Sequence, residues 1–204
     1  MLFSHIVQDI QEHCKMSGTA AYMYTCAYYY CYFGRNQDET EPFLRWTINQ
    51  LCRQCGSIPD EIIENYDDGV QPSGRSLLQA LSALLTRFQR IYVLIDALDE
   101  SFPRMNLLHL LVSLSGEGFQ KIQLCVMSRE EADIKFQIQD YCTSISLSNP
   151  YIDEDIGVYV QHQLERHRRL KTWSLPFKEK IRQALVKGAK GMCVYRMEHE
   201  TDHS

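Results

Sequence analysis

The 204-residue chain contains no apolar run approaching the roughly 18 residues that a membrane-spanning helix requires. Its apolar start, Leu2 to Val7, is broken by Ser4 and His5 and soon meets Asp9, so it does not read as a secretory leader. There is no excess of basic residues either. Against 21 Lys and Arg stand 26 Asp and Glu, a formal net charge of -5. Neither nucleic acid nor an anionic membrane is therefore expected as the main partner. The one dense basic stretch, Arg166 to Lys171, reads as the solvated cationic end of a helix. No internal repeat and no low-complexity segment is present. The eight cysteines lack a pairing pattern. Cys52 and Cys55 form a CxxC with no second pair, on an apolar helical face with Ile48 and Leu51, so a zinc site is not expected. Cys26, Cys31 and Cys125 fall in apolar, strand-like segments where a thiol acts as a small hydrophobe. Such usage suits a reducing interior, and a soluble, cytoplasmic protein is expected.

What is present builds a core. Hydrophobic residues make up 45% of the chain, and the length suits one α/β domain with a small appendage. Helical and strand periods alternate. Leu2, Phe3, Ile6, Val7 and Ile10 share one helical face. The aromatic run from Tyr22 to Phe33 reads as a strand, since no Lys or Arg interleaves its rings for base stacking. A second helix carries Leu44, Ile48, Leu51, Cys52 and Cys55, with Pro42 in its first turn. After a loop from Asp67 to Ser73, a third carries Leu77, Leu78, Leu81, Leu84, Leu85 and Phe88. The segment from Ile91 to Asp96 is a strand, Asn106 to Leu114 a helix, and Lys121 to Met127 a further strand. Thr143 to Leu147 is a weaker strand candidate. From Asn149 the texture changes to helices. Asp153, Glu154 and Asp155 open one whose apolar face is Ile156, Tyr159, Val160 and Leu164. Phe177, Ile181 and Leu185 mark another, ending near Gly188 and Gly191. The expected division is an α/β domain over 1–148, a helical subdomain over 149–195 and a frayed tail over 196–204.

The most informative stretch is IYVLIDALDE, Ile91 to Glu100. A strand buried on both faces runs there straight into Asp96, Asp99 and Glu100, and acids at such a strand end lie on the rim where open α/β sheets bind ligands. Nucleoside triphosphatases place a Mg²⁺-holding Asp at this point, with further acids to orient the attacking water. The order of segments resembles the NACHT nucleotide-binding domain of signalling NTPases. It is most similar to the nephrocystin-like N-terminal domains of filamentous fungi, which ankyrin repeats often follow. The matching stretches are Gln71 to Ser73, IYVLIDALDE, LCVMSRE (Leu124 to Glu130), Asp155 to Val160, and Lys187 to Met192.

This resemblance implies a P-loop NTPase-like parallel sheet flanked by helices, followed by a small helical subdomain. It implies that Asp96 helps hold Mg²⁺, that Asp99 or Glu100 orients the hydrolytic water, and that Arg129, with Ser128 beside it, senses the terminal phosphate. Mg²⁺ with ATP or GTP is the implied cofactor of the complete family domain. The family places Thr-Ser-Arg-Pro where this chain has Met127 to Glu130, so Glu130 sets an anion beside the phosphate sensor. The family also begins with a strand and GxxxxGK[ST], whereas this chain starts at the helix that follows them. Gly69 to Ser76 mimics the spacing, with Arg75 for Lys, but an acidic segment precedes it and Pro72 removes a backbone donor. The chain is thus expected to lack the first strand and phosphate loop, either as a truncated or mis-bounded piece or as a degenerate relative held by partners. A missing strand of about five buried apolar residues would forfeit ~10 kcal/mol, comparable to the whole stability of a typical domain.

Three functions remain open on the sequence. The first is a NACHT-type signalling or scaffold module that acts through protein contacts, including self-association, and holds no nucleotide as this chain alone. The second is an active Mg²⁺-dependent NTPase or phosphate hydrolase using Asp96, Asp99 and Glu100. The third is a structural interaction domain that keeps the carboxylates as relics.

Overall fold

A computed structural model of the chain describes residues 2–16, 24–146, 150–167, 170–188 and 192–197. The aromatic run forms β1, Tyr24–Tyr30. The chain leaves the strand three residues earlier than the sequence pattern predicts, and Phe33–Arg35 forms a 3-10 turn. Preceding β1 is α1, Leu2–Met16, which buries Phe3 and Val7 and sets Phe3 edge-on against Tyr30 with ring centroids 4.9 Å apart. Three helices follow: α2, Thr40–Cys55; α3, Asp60–Asp67; and α4, Gly74–Leu85. Then come β2, Arg90–Asp96, α5, Met105–Ser115, and β3, Ile122–Arg129. The remaining elements are α6, Ala132–Ile138, β4, Cys142–Ser146, α7, Pro150–Arg166, α8, Leu175–Gly188, and β5, Met192–Met197.

The sheet order is β1-β2-β3-β5-β4. β1 runs parallel to β2, with Tyr24 opposite Arg90 and Tyr30 opposite Asp96. β2 runs parallel to β3, with Ile91 opposite Ile122 and Ile95 opposite Val126. Parallel neighbours require crossovers, which α2 to α4 and then α5 provide. Sandwiched between two strands and covered by helices, β2 buries Ile91, Val93, Leu94 and Ile95 almost completely. That double burial explains why its sequence is a continuous apolar run without alternation.

The outer edge of β1 is closed by side chains. Trp46 Nε1 donates to Tyr28 O (3.0 Å). Gln50 binds both backbone groups of the same residue, its Nε2 donating to Tyr28 O (2.9 Å) and its Oε1 accepting from Tyr28 N (3.2 Å). One turn on, Gln54 Nε2 donates to Cys26 O (2.9 Å) and its Oε1 accepts from Thr25 Oγ1. The i, i+4, i+8 spacing aligns these groups on one helix face, where they take the place of a neighbouring strand.

Internal contacts divide the chain into two units, Met1–Ile145 with Val194–Ser204, and Ser146–Cys193. In the second unit α7 and α8 pack together, with Leu164 and the stem of Lys178 buried. The apolar face expected on α8 is covered only in part, since Phe177 and Leu185 are exposed. Two helices alone can cover only one stripe of each other. Three short elements, α3, α6 and β5, have no counterpart in the sequence prediction. β5 takes in Arg196 and Met197, which the sequence reading places in the tail. Residues 198–204, the rest of the expected tail, lie outside the described residues. Among the described residues no helix is long and apolar enough to cross a membrane.

Candidate functional site

β2 delivers Asp96 to the sheet rim, and the chain then turns sharply. Ala97 sits in the left-handed region (φ 55°) and Leu98–Glu100 forms a 3-10 turn pinned by the fully buried Leu98. For an L-residue with a Cβ this backbone conformation costs about 1–2 kcal/mol. The turn is braced from outside. Arg104 Nη1 donates to Asp99 O (2.6 Å), while its Nε and Nη2 form a bidentate pair with Asp133 of α6 (2.7 and 3.2 Å).

Asp99 faces the end of β3. Its Oδ1 accepts from Arg129 N at 3.0 Å. Ser128 Oγ lies 3.3 Å from the same oxygen and 2.8 Å from Arg129 O, with one proton for the two. Asp99 Oδ2 is 3.6 Å from Arg129 Nε. Asp99, Ser128 and Arg129 therefore form one cluster in which both carboxylate oxygens are engaged. Arg129 remains 64% exposed, and an ion pair at that exposure is worth only about 0–1 kcal/mol.

The other two predicted acids point to different neighbours. Glu100 Oε2 accepts from Phe33 N (3.4 Å), tying the turn to the loop after β1. Asp96 Oδ1 accepts from Ala97 N (3.0 Å). Burial pushes the Asp96 carboxyl above the usual carboxylate range, against the Ala97 hydrogen bond, and nearby Asp99 and Glu100 add to the rise.

One charged group of this rim is invisible in the sequence. Glu39 is 1% exposed and accepts from Tyr29 OH and from Arg35 Nη1 (3.1 Å). Arg35 also donates to Tyr30 O (3.1 Å) and lies over the Tyr29 ring, 5.5 Å from its centroid. Burial, and then Glu39, push the Tyr29 phenol above its usual range. Cys31, whose N–H donates to Asp96 O (3.0 Å), is pushed up to about 12 by burial and then by Glu39. It stays a neutral thiol and supplies no nucleophile. The i, i+4 spacing of Arg35 and Glu39 was the one available signal, and it falls in a polar run that reads as a loop.

The Gly69 to Ser76 stretch follows α3, not a strand. Ser73 N-caps α4 by accepting from Ser76 N (3.2 Å), and Arg45 takes up Pro72 O (2.7 Å) and Gln71 (3.0 Å). Gln71, Pro72, Ser73 and Ser76 are thus committed to the turn into α4.

The family model for the N-terminal region of nephrocystin 3 matches residues 1–129. The chain belongs to this family. The match runs from α1 to the last residue of β3 and takes in all five predicted site residues. No curated protein and no solved structure matches the chain.

For a nephrocystin-type domain the rim can be tested against Mg²⁺ with a nucleoside triphosphate. Such a metal needs one or two carboxylates plus the phosphates, and the phosphates need converging backbone N–H groups and a lysine. Asp96 and Glu100 offer carboxylates without an ion pair among the described residues, each accepting a backbone N–H, whereas Asp99 is held by Arg129. No group of three or more His, Cys, Asp or Glu able to hold a metal occurs among the described residues. The residues in place do not by themselves fit the nucleotide, and no catalytic step follows from them.

Proposed function

We propose that this nephrocystin-family chain is a signalling or scaffold module working through protein contacts, including self-association, in the cytoplasm. In this reading Asp96, Asp99, Glu100, Ser128 and Arg129 form an ordered rim that does not turn over nucleotide. The observation that carries it is the engagement of both Asp99 oxygens by Ser128 and Arg129. A carboxylate so held is turned toward the end of β3 and not left free to orient a water, the task an NTPase would give it. The Gly69 to Ser76 stretch supports the same conclusion, because Ser73 there caps α4 and Arg45 holds Pro72 O, so it does not cradle a phosphate.

A second reading has one observation in its favour. Arg129 is exposed and its pair with Asp99 is weak, so a phosphate could draw it away and release Asp99 for an active Mg²⁺-dependent hydrolase with Asp96 and Glu100. Steady-state phosphate release from Mg-ATP and Mg-GTP separates the two. The module reading predicts release at the level of buffer. Release that disappears in Asp96→Asn would establish the hydrolase.

A further inference from the structure

α3 is an eight-residue helix with no buried residue. Four of its eight residues, Asp60, Glu61, Glu64 and Asp67, are acids, and none is basic. None of these acids makes an ion pair among the described residues. Beside this helix lies a cavity of about 280 Å³ whose apolar walls are Ile48 and Cys52 of α2, Ile58 and Ile62, and Pro72 with Leu77. Two polar groups also line it, Arg45 and Asn49. Arg45 is already committed to Glu41 (3.1 Å), Pro72 O (2.7 Å) and Gln71 (3.0 Å). The one cation at the mouth is therefore compensated locally, and although Arg75 shares a neighbouring cleft with Glu61, α3 itself carries four acids and no base.

Size and chemistry together narrow the occupant. Small-molecule sites span about 300–1,000 Å³ and set several converging polar groups around the ligand. This cavity lies at the small end of that range and has one uncommitted polar liner, Asn49. It suits a single apolar side chain entering from outside, and the acidic helix beside it favours cationic flanks on the segment that carries that side chain. We propose that the α2–α3–α4 cleft docks a basic amphipathic segment of a partner protein, seating one apolar anchor in the cavity and its Lys or Arg residues against α3. This surface is separate from the acidic strand end and stands whether or not that rim binds nucleotide.

Cys52 is a built-in reporter, because its half-buried thiol lines the cavity. The probe is a synthetic amphipathic peptide of Leu and Lys, compared with its Leu and Glu counterpart. Binding is read by fluorescence anisotropy and by the iodoacetamide labelling rate of Cys52 in the full chain. At about ten times its Kd, a peptide covering the cavity should slow Cys52 labelling about tenfold. Ile58→Asp, at a position 55% exposed, and the pair Glu61→Lys with Glu64→Lys leave the core untouched. Each should weaken the Leu/Lys peptide about tenfold or more, as loss of an anchor or a rim charge does. The proposal is overturned if the Leu/Lys peptide fails to bind, if the Leu/Glu peptide binds equally, or if the variants bind as the parent does. Equal protection of Cys52 by 4-phenylbutyrate would make the cleft a small-molecule site. A concentration-dependent dimer lost in Ile58→Asp would make it a contact between copies. Either result also overturns the proposal.

Discussion

At the scale of single residues, the acidic turn carries strain and unfavourable charge together, and each can be removed alone. Ala97 adopts a left-handed backbone (φ 55°) directly after Asp96. Ala97→Gly should stabilise the protein by about 1 kcal/mol, the penalty for a Cβ there less the backbone freedom glycine adds to the unfolded chain. Urea denaturation checks this, and an unchanged or lower midpoint would contradict it. Asp96 gives a prediction with a definite pH dependence. Burial raises its carboxyl pKa in the folded state, so the folded chain binds that proton more tightly than the unfolded one. The stabilisation is full below the unfolded pKa of about 4 and is lost as pH rises through the folded value. At neutral pH the charged Asp96 is thus a net cost. Asp96→Asn keeps the acceptor for Ala97 N–H and should raise Tm at pH 7, with the gain shrinking towards pH 3. A gain of equal size at both pH values would point to another cause.

At the scale of elements, the edge of β1 shows how a helix can complete a sheet. Gln50 and Gln54 satisfy backbone groups of Tyr28 and Cys26, so Gln50→Leu with Gln54→Leu should leave the Cys26 carbonyl and the Tyr28 N–H without these partners, while Trp46 still holds Tyr28 O. The expected result is a loss of about 2–3 kcal/mol and concentration-dependent aggregation through the bared edge, read by denaturation and light scattering. An unaltered, monomeric double variant would contradict this. How legible each element is in the sequence follows from where its burial comes from. β2 is legible because burial on both faces writes itself as an unbroken apolar run, and α4 because Leu77, Leu81, Leu84 and Leu85 all reach the core. α3 is hard to read because it is short and buries none of its residues, so that Ile62, Ile63 and Tyr66 mark only a single apolar turn within an acidic run. β5 is illegible because its place between β3 and β4 depends on neighbours distant in sequence. The same holds for the site. Asp96, Asp99 and Glu100 announce themselves after β2, whereas Glu39 sits in a polar run and is buried by Tyr29 and Arg35.

At the scale of the whole molecule, the parallel strands β1, β2 and β3 bring the acidic turn and Arg129 together on one rim. Arg104 ties that rim to α6. Because Arg104 is largely buried and bridges the Asp99 carbonyl and Asp133, Arg104→Ala should cost about 2 kcal/mol and loosen the Asp99 turn. Hydrogen exchange at Asp99 to Ser101 would report the loosening, and unchanged protection there would refute the bracing role. The central claim is that this rim is organised without a hold on nucleotide. The most direct test is the thermal melt of the chain with and without Mg-ATP and Mg-GTP. A ligand that binds only the folded state adds about 2.7 kcal/mol at about a hundredfold excess over its Kd, or roughly 5–10 °C for a protein of this size. The account predicts no shift with either nucleotide up to millimolar concentration. A Mg²⁺-dependent rise in Tm that Asp96→Ala abolishes would contradict it.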